Sequence, residues 1–210
     1  MRTRAATLVV VRHGETPQHA ENRYVGRTDA PLTDEGRRQA RELAGWAATA
    51  GLDAIWSSPL RRARETAEPS AAATGLDLRT DERLVELDFG AGEGLTGAEM
   101  RKAFPEARAA FERDPFRNPL PGGEPPARAI ARAREAVESI ADAVAGGTAL
   151  VVAHGTLLRL LLCDLLGVDP GRYRDAFPEV HNVSGAVLKS APDRGWGLIA
   201  WNPRLVSGGA

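Results

Sequence analysis

The chain has 210 residues, of which 43% are hydrophobic and 26% charged; these values suit one folded domain and exclude a disordered chain or a coiled coil. A formal net charge of -1, from 27 basic and 28 acidic residues, provides no long-range field that would gather nucleic acid or an anionic membrane surface. The single cysteine, Cys163, excludes an internal disulfide and a multi-cysteine metal site, and it fits a reducing, cytoplasmic setting.

The opening Met1-Arg2-Thr3-Arg4 and the apolar run behind it mimic a secretion signal. Arg12 and His13 interrupt that run and no small-residue cleavage site follows, so 7–11 reads as a strand buried on both faces. No apolar stretch reaches the ~20 residues that a membrane span needs. Residues 20–31 are polar and read as loop. Thr33 then caps a helix whose apolar positions Ala40, Leu43, Ala47 and Ala50 recur at helical spacing as far as Gly51. A strand is predicted over 53–57. A helix opens at Pro59 and runs through Thr66, with Pro69 expected to bend or end it before Gly75, and a short strand follows over 76–79.

Residues 95–126 contain one helical piece at 98–104 and then Pro115, Pro119, Pro121, Pro125 and Pro126, and read as a lid-like insert. A helix over 127–144 stops at Gly146-Gly147. The run 148–153 is a second all-apolar strand that ends, like the first, at a His-Gly pair. An amphipathic helix over 155–166 follows. Two late strands, 185–190 and 197–201, flank the turn Ala191-Pro192-Asp193-Arg194-Gly195 as a hairpin. With no internal repeat and no linker, 1–210 reads as a single domain. Strands alternating with helices imply an α/β fold of three layers, α/β/α, with a mostly parallel sheet and an antiparallel C-terminal edge hairpin. Ligands of such sheets bind beyond the carboxyl ends of the strands, and His13 and His154 both fall there.

Four segments converge on that rim: Arg12-His13-Gly14-Glu15-Thr16, the stretch from Ser57 to Thr66, Glu86-Leu87-Asp88-Phe89-Gly90, and Ala153-His154-Gly155. Two bring imidazoles and two bring guanidinium groups. An arginine fork matches phosphate oxygens, and a neutral imidazole can accept a phosphoryl group and later release it to water. Phosphoryl transfer is the chemistry indicated. Cys163, inside an apolar helix, reads as core. Trp46, Trp56, Trp196 and Trp201 are too scattered to stack bases. No Walker A sequence, H-x-x-x-H pair or D-x-D-x-T motif occurs.

These motifs resemble those of the histidine phosphatase superfamily, the phosphoglycerate mutase-like group that includes α-ribazole and broad-specificity phosphatases. The signature R-H-G-E-T stands at Arg12 to Thr16, S-S-P-L-x-R-A-x-x-T at Ser57 to Thr66, E-x-x-F-G-x-x-E-G at Glu86 to Gly94, P-G-G-E at Pro121 to Glu124 and A-H-G at Ala153 to Gly155. Five short motifs in order carry the resemblance over nearly the whole chain. It implies a phosphoglycerate mutase-like fold, His13 as the phosphorylated nucleophile, and Arg12, Arg62 and His154 as the groups holding the phosphoryl oxygens. Glu86 falls at the position of the general acid, with Asp88 and Glu93 as rivals on spacing alone.

The chain departs from the pattern at His19, where the family often has Asn, and at Val25, where it often has Gln. On the residues themselves, His19 and His181 read as ordinary histidines. Arg61 and Arg64 read as helix-surface charges, Arg64 placed to pair with neighbouring carboxylates.

The implied activity is metal-independent hydrolysis of a small phosphorylated metabolite, with no cofactor and a phosphate ester as the partner molecule. A homodimer is left open. The alternative is a cofactor-dependent phosphoglycerate mutase; such mutases carry E-R-H-Y-G where this chain has Glu86-Leu87-Asp88-Phe89-Gly90, which favours hydrolysis. A phospho-ligand sensor without turnover is expected to lack His13, Glu86 or His154, and all three are present. Specificity is expected to rest on 95–126 and on the loop from His19 to Arg27.

Overall fold

A computed structural model of the chain describes residues 4–191 and 195–205. Its first strand, β1 (Thr7–Arg12), is buried along its length and sends alternate side chains to opposite faces. Leu8 and Val10 enter one apolar cluster. Val9 and Val11 enter a second cluster on the other face. A strand apolar on both faces must be covered on both, and the remaining elements do so.

Helix α1 (Asp34–Ala47) starts where Thr33 Oγ1 accepts the Gly36 N–H, as its sequence implies. Strand β2 (Ala54–Ser57) follows, then α2 (Arg61–Thr74) and β3 (Leu78–Thr80). Pro69 does not end α2, which continues to a left-handed cap at Gly75. The reason lies in packing. Ala63, Thr66, Ala67 and Ser70 are all buried, and α2 packs on α1, so the packing of this buried face outweighs the one hydrogen bond that proline removes.

The segment 95–126 holds α3 (Gly97–Ala103), opened by a Thr96–Glu99 capping box, and α4 (Pro105–Arg113). No helix was expected over α4; Pro105 at its first turn is the start signal. Met100, Phe111 and Leu120 sink from this segment into the same cluster as Leu8 and Val10. Then come α5 (Pro126–Ala143), β4 (Thr148–Ala153), α6 (Gly155–Leu166), the single-turn α7 (Tyr173–Ala176), β5 (Gly185–Ala191) and β6 (Gly195–Trp201). Within the expected hairpin turn, residues 192–194 lie outside the described residues, as do residues 1–3 of the opening segment.

The sheet order is β3-β2-β4-β1-β5-β6. The first four strands are parallel, while β5 and β6 are antiparallel additions with an irregularity between Val187 and Leu188. The α1 and α2 side chains cover one face and those of α5 and α6 the other, giving the three-layer α/β/α arrangement. Among the described residues, no helix is long and apolar enough to cross a membrane.

Candidate active site

Strands β1 and β4 are parallel neighbours in the register Arg12 opposite Ala153. His13 and His154 therefore leave the sheet side by side, with ring centroids 5.2 Å apart. Two close approaches hold the turn after β1. A Cβ on Gly14 would lie 2.8 Å from the Gly36 carbonyl oxygen, and one on Gly36 would lie 2.2 Å from the Glu15 carbonyl oxygen, so only glycines allow this turn to sit on the start of α1. Thr66 Oγ1 accepts the Gly14 N–H at 2.9 Å and donates to the Arg62 carbonyl at 2.7 Å, which ties α2 to the turn. On the other side, Asn182 donates to the His13 carbonyl at 2.8 Å and the Val183 N–H to the Arg12 carbonyl at 2.9 Å. Val183 has φ of +50°, a strained value for a β-branched residue, at the point where the chain clamps the histidine.

The His13 Nδ1 lies 2.7 Å from the Gly14 carbonyl. A carbonyl can only accept, so the proton sits on Nδ1 and the Nε2 lone pair is left for chemistry. Burial, reinforced by the cations Arg62 and Arg12, holds the His13 pKa well below its ordinary value. The ring is neutral and nucleophilic at neutral pH. His154 is fully buried, its pKa also lowered by burial and by Arg62, and neither ring nitrogen has a hydrogen-bond partner.

A cavity of about 460 Å³ opens over this edge, with Arg12, His13, Arg62 and Glu86 in its wall. Arg12 donates to the Val180 carbonyl at 3.0 Å and meets His19 Nε2, while its Nε is buried without a partner. Burial, opposed by the Glu86 carboxylate, brings the Arg12 pKa down to about 10, so the group stays charged. Arg62 is buried in the first turn of α2 and donates to the Thr28 carbonyl at 2.8 Å and the Gly26 carbonyl at 2.7 Å; its Nε too is buried and unpartnered. Arg61 turns to solvent and pairs with Glu65. Arg64 is also exposed but has no ion pair with a carboxylate among the described residues, contrary to expectation.

The three candidate carboxylates separate clearly. Glu86 lines the cavity; its Oε1 accepts the Leu157 N–H at 2.8 Å and its Oε2 the Thr156 N–H at 3.0 Å, at the first turn of α6. Glu93 instead receives the N–H groups of Gly26, Arg27, Thr28 and Phe89 and holds the 25–28 loop against Arg62. Asp88 closes a turn by accepting the Gly90 N–H at 2.7 Å. Neither lines the cavity.

Several functional neighbours escaped the sequence. His19 is not an ordinary histidine: it lines the cavity, its ring centroid lies 5.7 Å from that of His13 with the planes tilted by 32°, and it contacts Arg12. Burial and Arg12 lower its pKa to about 4, so the ring beside that guanidinium is neutral, and its Nδ1 accepts the Thr16 N–H at 2.8 Å. Arg132 on α5 donates to the carbonyls of Arg83, Val85 and Glu86 and pairs with Glu124 at 2.8 Å, which fixes the segment that carries Glu86. Arg159, Arg174 and Arg108 also enter the cavity wall. Only Arg159 had a local signal, one helical turn beyond Gly155. Cys163 is buried, and burial pushes its thiol up to about 11, consistent with core.

A model of the histidine phosphatase superfamily (branch 1) matches residues 8–203. The chain belongs to this superfamily. It is 41% identical over 165 residues to a bifunctional protein of Mycobacterium tuberculosis, a match covering 78% of this chain and 44% of that protein. The chain thus spans less than half the length of this relative. It is 32% identical over 166 residues to phosphoserine phosphatase 1 of Hydrogenobacter thermophilus, covering 79% of each. Among solved structures, a mycobacterial glucosyl-3-phosphoglycerate phosphatase superposes with a TM-score of 0.84 at 31% identity, over 95% of this chain and 99% of that one. It has the phosphoglycerate mutase-like fold of this superfamily.

Proposed function

We propose that this histidine phosphatase hydrolyses small phosphomonoesters, without a metal ion, through a phosphohistidine on His13. The observation that carries the reading is the set of buried polar groups without partners around His13: Arg12 Nε, Arg62 Nε and both His154 nitrogens. Buried donors are ordinarily satisfied, and a phosphoryl group with three oxygens would satisfy several of them together.

In the first half-reaction His13 Nε2 attacks phosphorus, the ester P–O bond breaks, and the leaving oxygen takes a proton from Glu86. Arg12, Arg62 and His154 meet the equatorial oxygens, where charge gathers. In the second, water attacks phosphorus, its proton passes to Glu86, and the P–N bond breaks to free inorganic phosphate and neutral His13. Glu86 has the capacity for both steps: its two oxygens offer about four acceptor positions, and the N–H groups of Leu87, Thr156 and Leu157 fill three of them.

The test is rapid quench with labelled substrate in excess chelator. An acid-labile, base-stable phosphoenzyme is expected, absent in His13→Ala, with Glu86→Gln slowing alkyl esters more than aryl esters, whose phenolate departs without a proton. Failure to trap any phosphoenzyme under burst conditions, or activity that chelator abolishes and a divalent ion restores, would overturn the reading. A mutase would instead pass the label to an added acceptor alcohol rather than to water.

A further inference from the structure

The cavity extends past the phosphoryl-binding end, and the charge in that outer part is more than one phosphate requires. Arg159, on the second turn of α6, donates through Nε to the Gly155 carbonyl at 3.1 Å. Gly155 also abuts the inner site, since a Cβ there would lie 3.4 Å from Arg12 Nε. Arg159 therefore begins where the Arg12 end of the pocket stops. Beyond it the guanidinium groups alternate with aromatic rings. Arg159 stacks on Tyr173 at 5.1 Å, Arg174 lies 5.4 Å from Tyr173 and 4.8 Å from Phe111, and Arg108 lies 5.5 Å from Phe111 and 5.3 Å from Tyr24. Stacking fixes the planes of these groups and leaves their N–H edges free to meet a ligand.

Arg108 has a carboxylate partner in Glu112 at 3.0 Å. Arg159 and Arg174 have none among the described residues: Arg174 donates only to the Tyr173 hydroxyl at 3.0 Å, and the terminal amino groups of both have no protein acceptor. The sole carboxylate in the cavity wall is Glu86, against six arginines. Partly buried guanidinium groups without a counter-charge are costly unless a ligand supplies one. The inner phosphoryl group answers Arg12 and Arg62. Arg159 and Arg174 are left over.

We propose that Arg159 and Arg174 form a distal anion subsite, and that the preferred substrate is a phosphomonoester whose alcohol portion carries a second anionic group, a carboxylate or a phosphate. This rests on the phosphomonoesterase reading and names its substrate class. Each side chain approaches from a different element, α6 and α7, and Arg108 on α4 flanks them, so the subsite selects among leaving groups without taking part in the transfer to His13.

The test uses alkyl phosphates of graded chain length that end in a hydroxyl, a carboxylate or a second phosphate. At the best length, an anionic terminus is expected to raise kcat/KM at least about tenfold over the hydroxyl of the same length, the scale of one charge-assisted hydrogen bond. The advantage should sit mainly in KM and shrink as salt rises. Arg159→Gln and Arg174→Gln should each lower the anionic-to-neutral ratio, and the carboxylate and phosphate arms show which group the subsite takes. A ratio near one at every length, or a ratio unmoved by both variants, would overturn the subsite while leaving the phosphatase standing. If neither variant folds, the wild-type ratio and its salt dependence decide, a salt-independent ratio counting against the subsite. No phosphate release from any of the esters would overturn the activity itself.

Discussion

Arg61 and Arg62 are adjacent and chemically identical, and one helical step between them decides which can hold an anion. The Arg61 side chain is 52% exposed and pairs with Glu65; such surface pairs are worth about 0–1 kcal/mol. Arg62 is 1% exposed and uses its fork on the Gly26 and Thr28 carbonyls as well as on the cavity. Arg62→Lys keeps the charge but loses the planar donors, and is expected to lower kcat/KM by about 10²–10³-fold, as removal of a transition-state donor does. Arg61→Lys should stay within about twofold of wild type. Steady-state kinetics on both variants checks the order, and the reverse order would move the phosphate contact to Arg61.

At the scale of elements, the segment that carries Glu86 is held from a helix more than 40 positions further along the chain. Arg132 on α5 donates to the backbone carbonyls of Arg83, Val85 and Glu86 and pairs with Glu124. Glu124 belongs to Pro121-Gly122-Gly123-Glu124, whose backbone also pairs with the Glu86 segment through Ala91 N–H to Pro121 O and Glu124 N–H to Asp88 O. Arg132→Met removes the donor to three part-buried carbonyls and leaves Glu124 with only its longer contacts to Arg27 and the Asp88 N–H, both at 3.4 Å. The expected cost is about 3–5 kcal/mol of stability, read from urea denaturation. Folded variant should show a lowered kcat with a smaller change in KM, because the Glu86 backbone loosens while the phosphate contacts remain. A variant as stable and active as wild type would remove Arg132 from this positioning role.

For the whole molecule, the cluster of His13, His19 and His154 makes stability depend on pH. In the fold all three bind a proton less readily than at their ordinary value, because of burial and nearby arginines, His19 falling to about 4. In the unfolded chain each titrates near pH 6.5. Their contribution is therefore complete above about pH 6.5 and is lost as pH falls toward the folded values, since the unfolded state takes up the protons first. The urea midpoint should drop between about pH 6.5 and 5, ahead of the carboxylate range, and His19→Asn should shallow that drop. A midpoint flat over this interval would contradict neutral imidazoles in the fold.

The strands 7–11 and 148–153, the helix 155–166 and the His-Gly pairs at the strand ends were legible in the sequence because they rest on local properties: runs of β-branched and aliphatic side chains, and glycines where backbones must approach closely. The motifs likewise brought His13, Arg12, Arg62, Glu86 and His154 to one rim; in the structure the first four line the cavity, and the buried His154 ring lies 5.2 Å from that of His13. What the sequence left open was decided by contacts between distant positions. Glu86 is distinguished from Asp88 and Glu93 by which carboxylate meets the first turn of α6 and which holds the 25–28 loop. Helix α2 passes Pro69 because α1 covers its face. His19 joins the site through Arg12 and the His13 ring, and Arg174 through residues supplied by α4 and α7. Hydrophobic periodicity reports burial along one element, whereas charge and hydrogen-bond partners are set when separate elements pack. That is why the tertiary structure alone placed the outer arginines over the pocket.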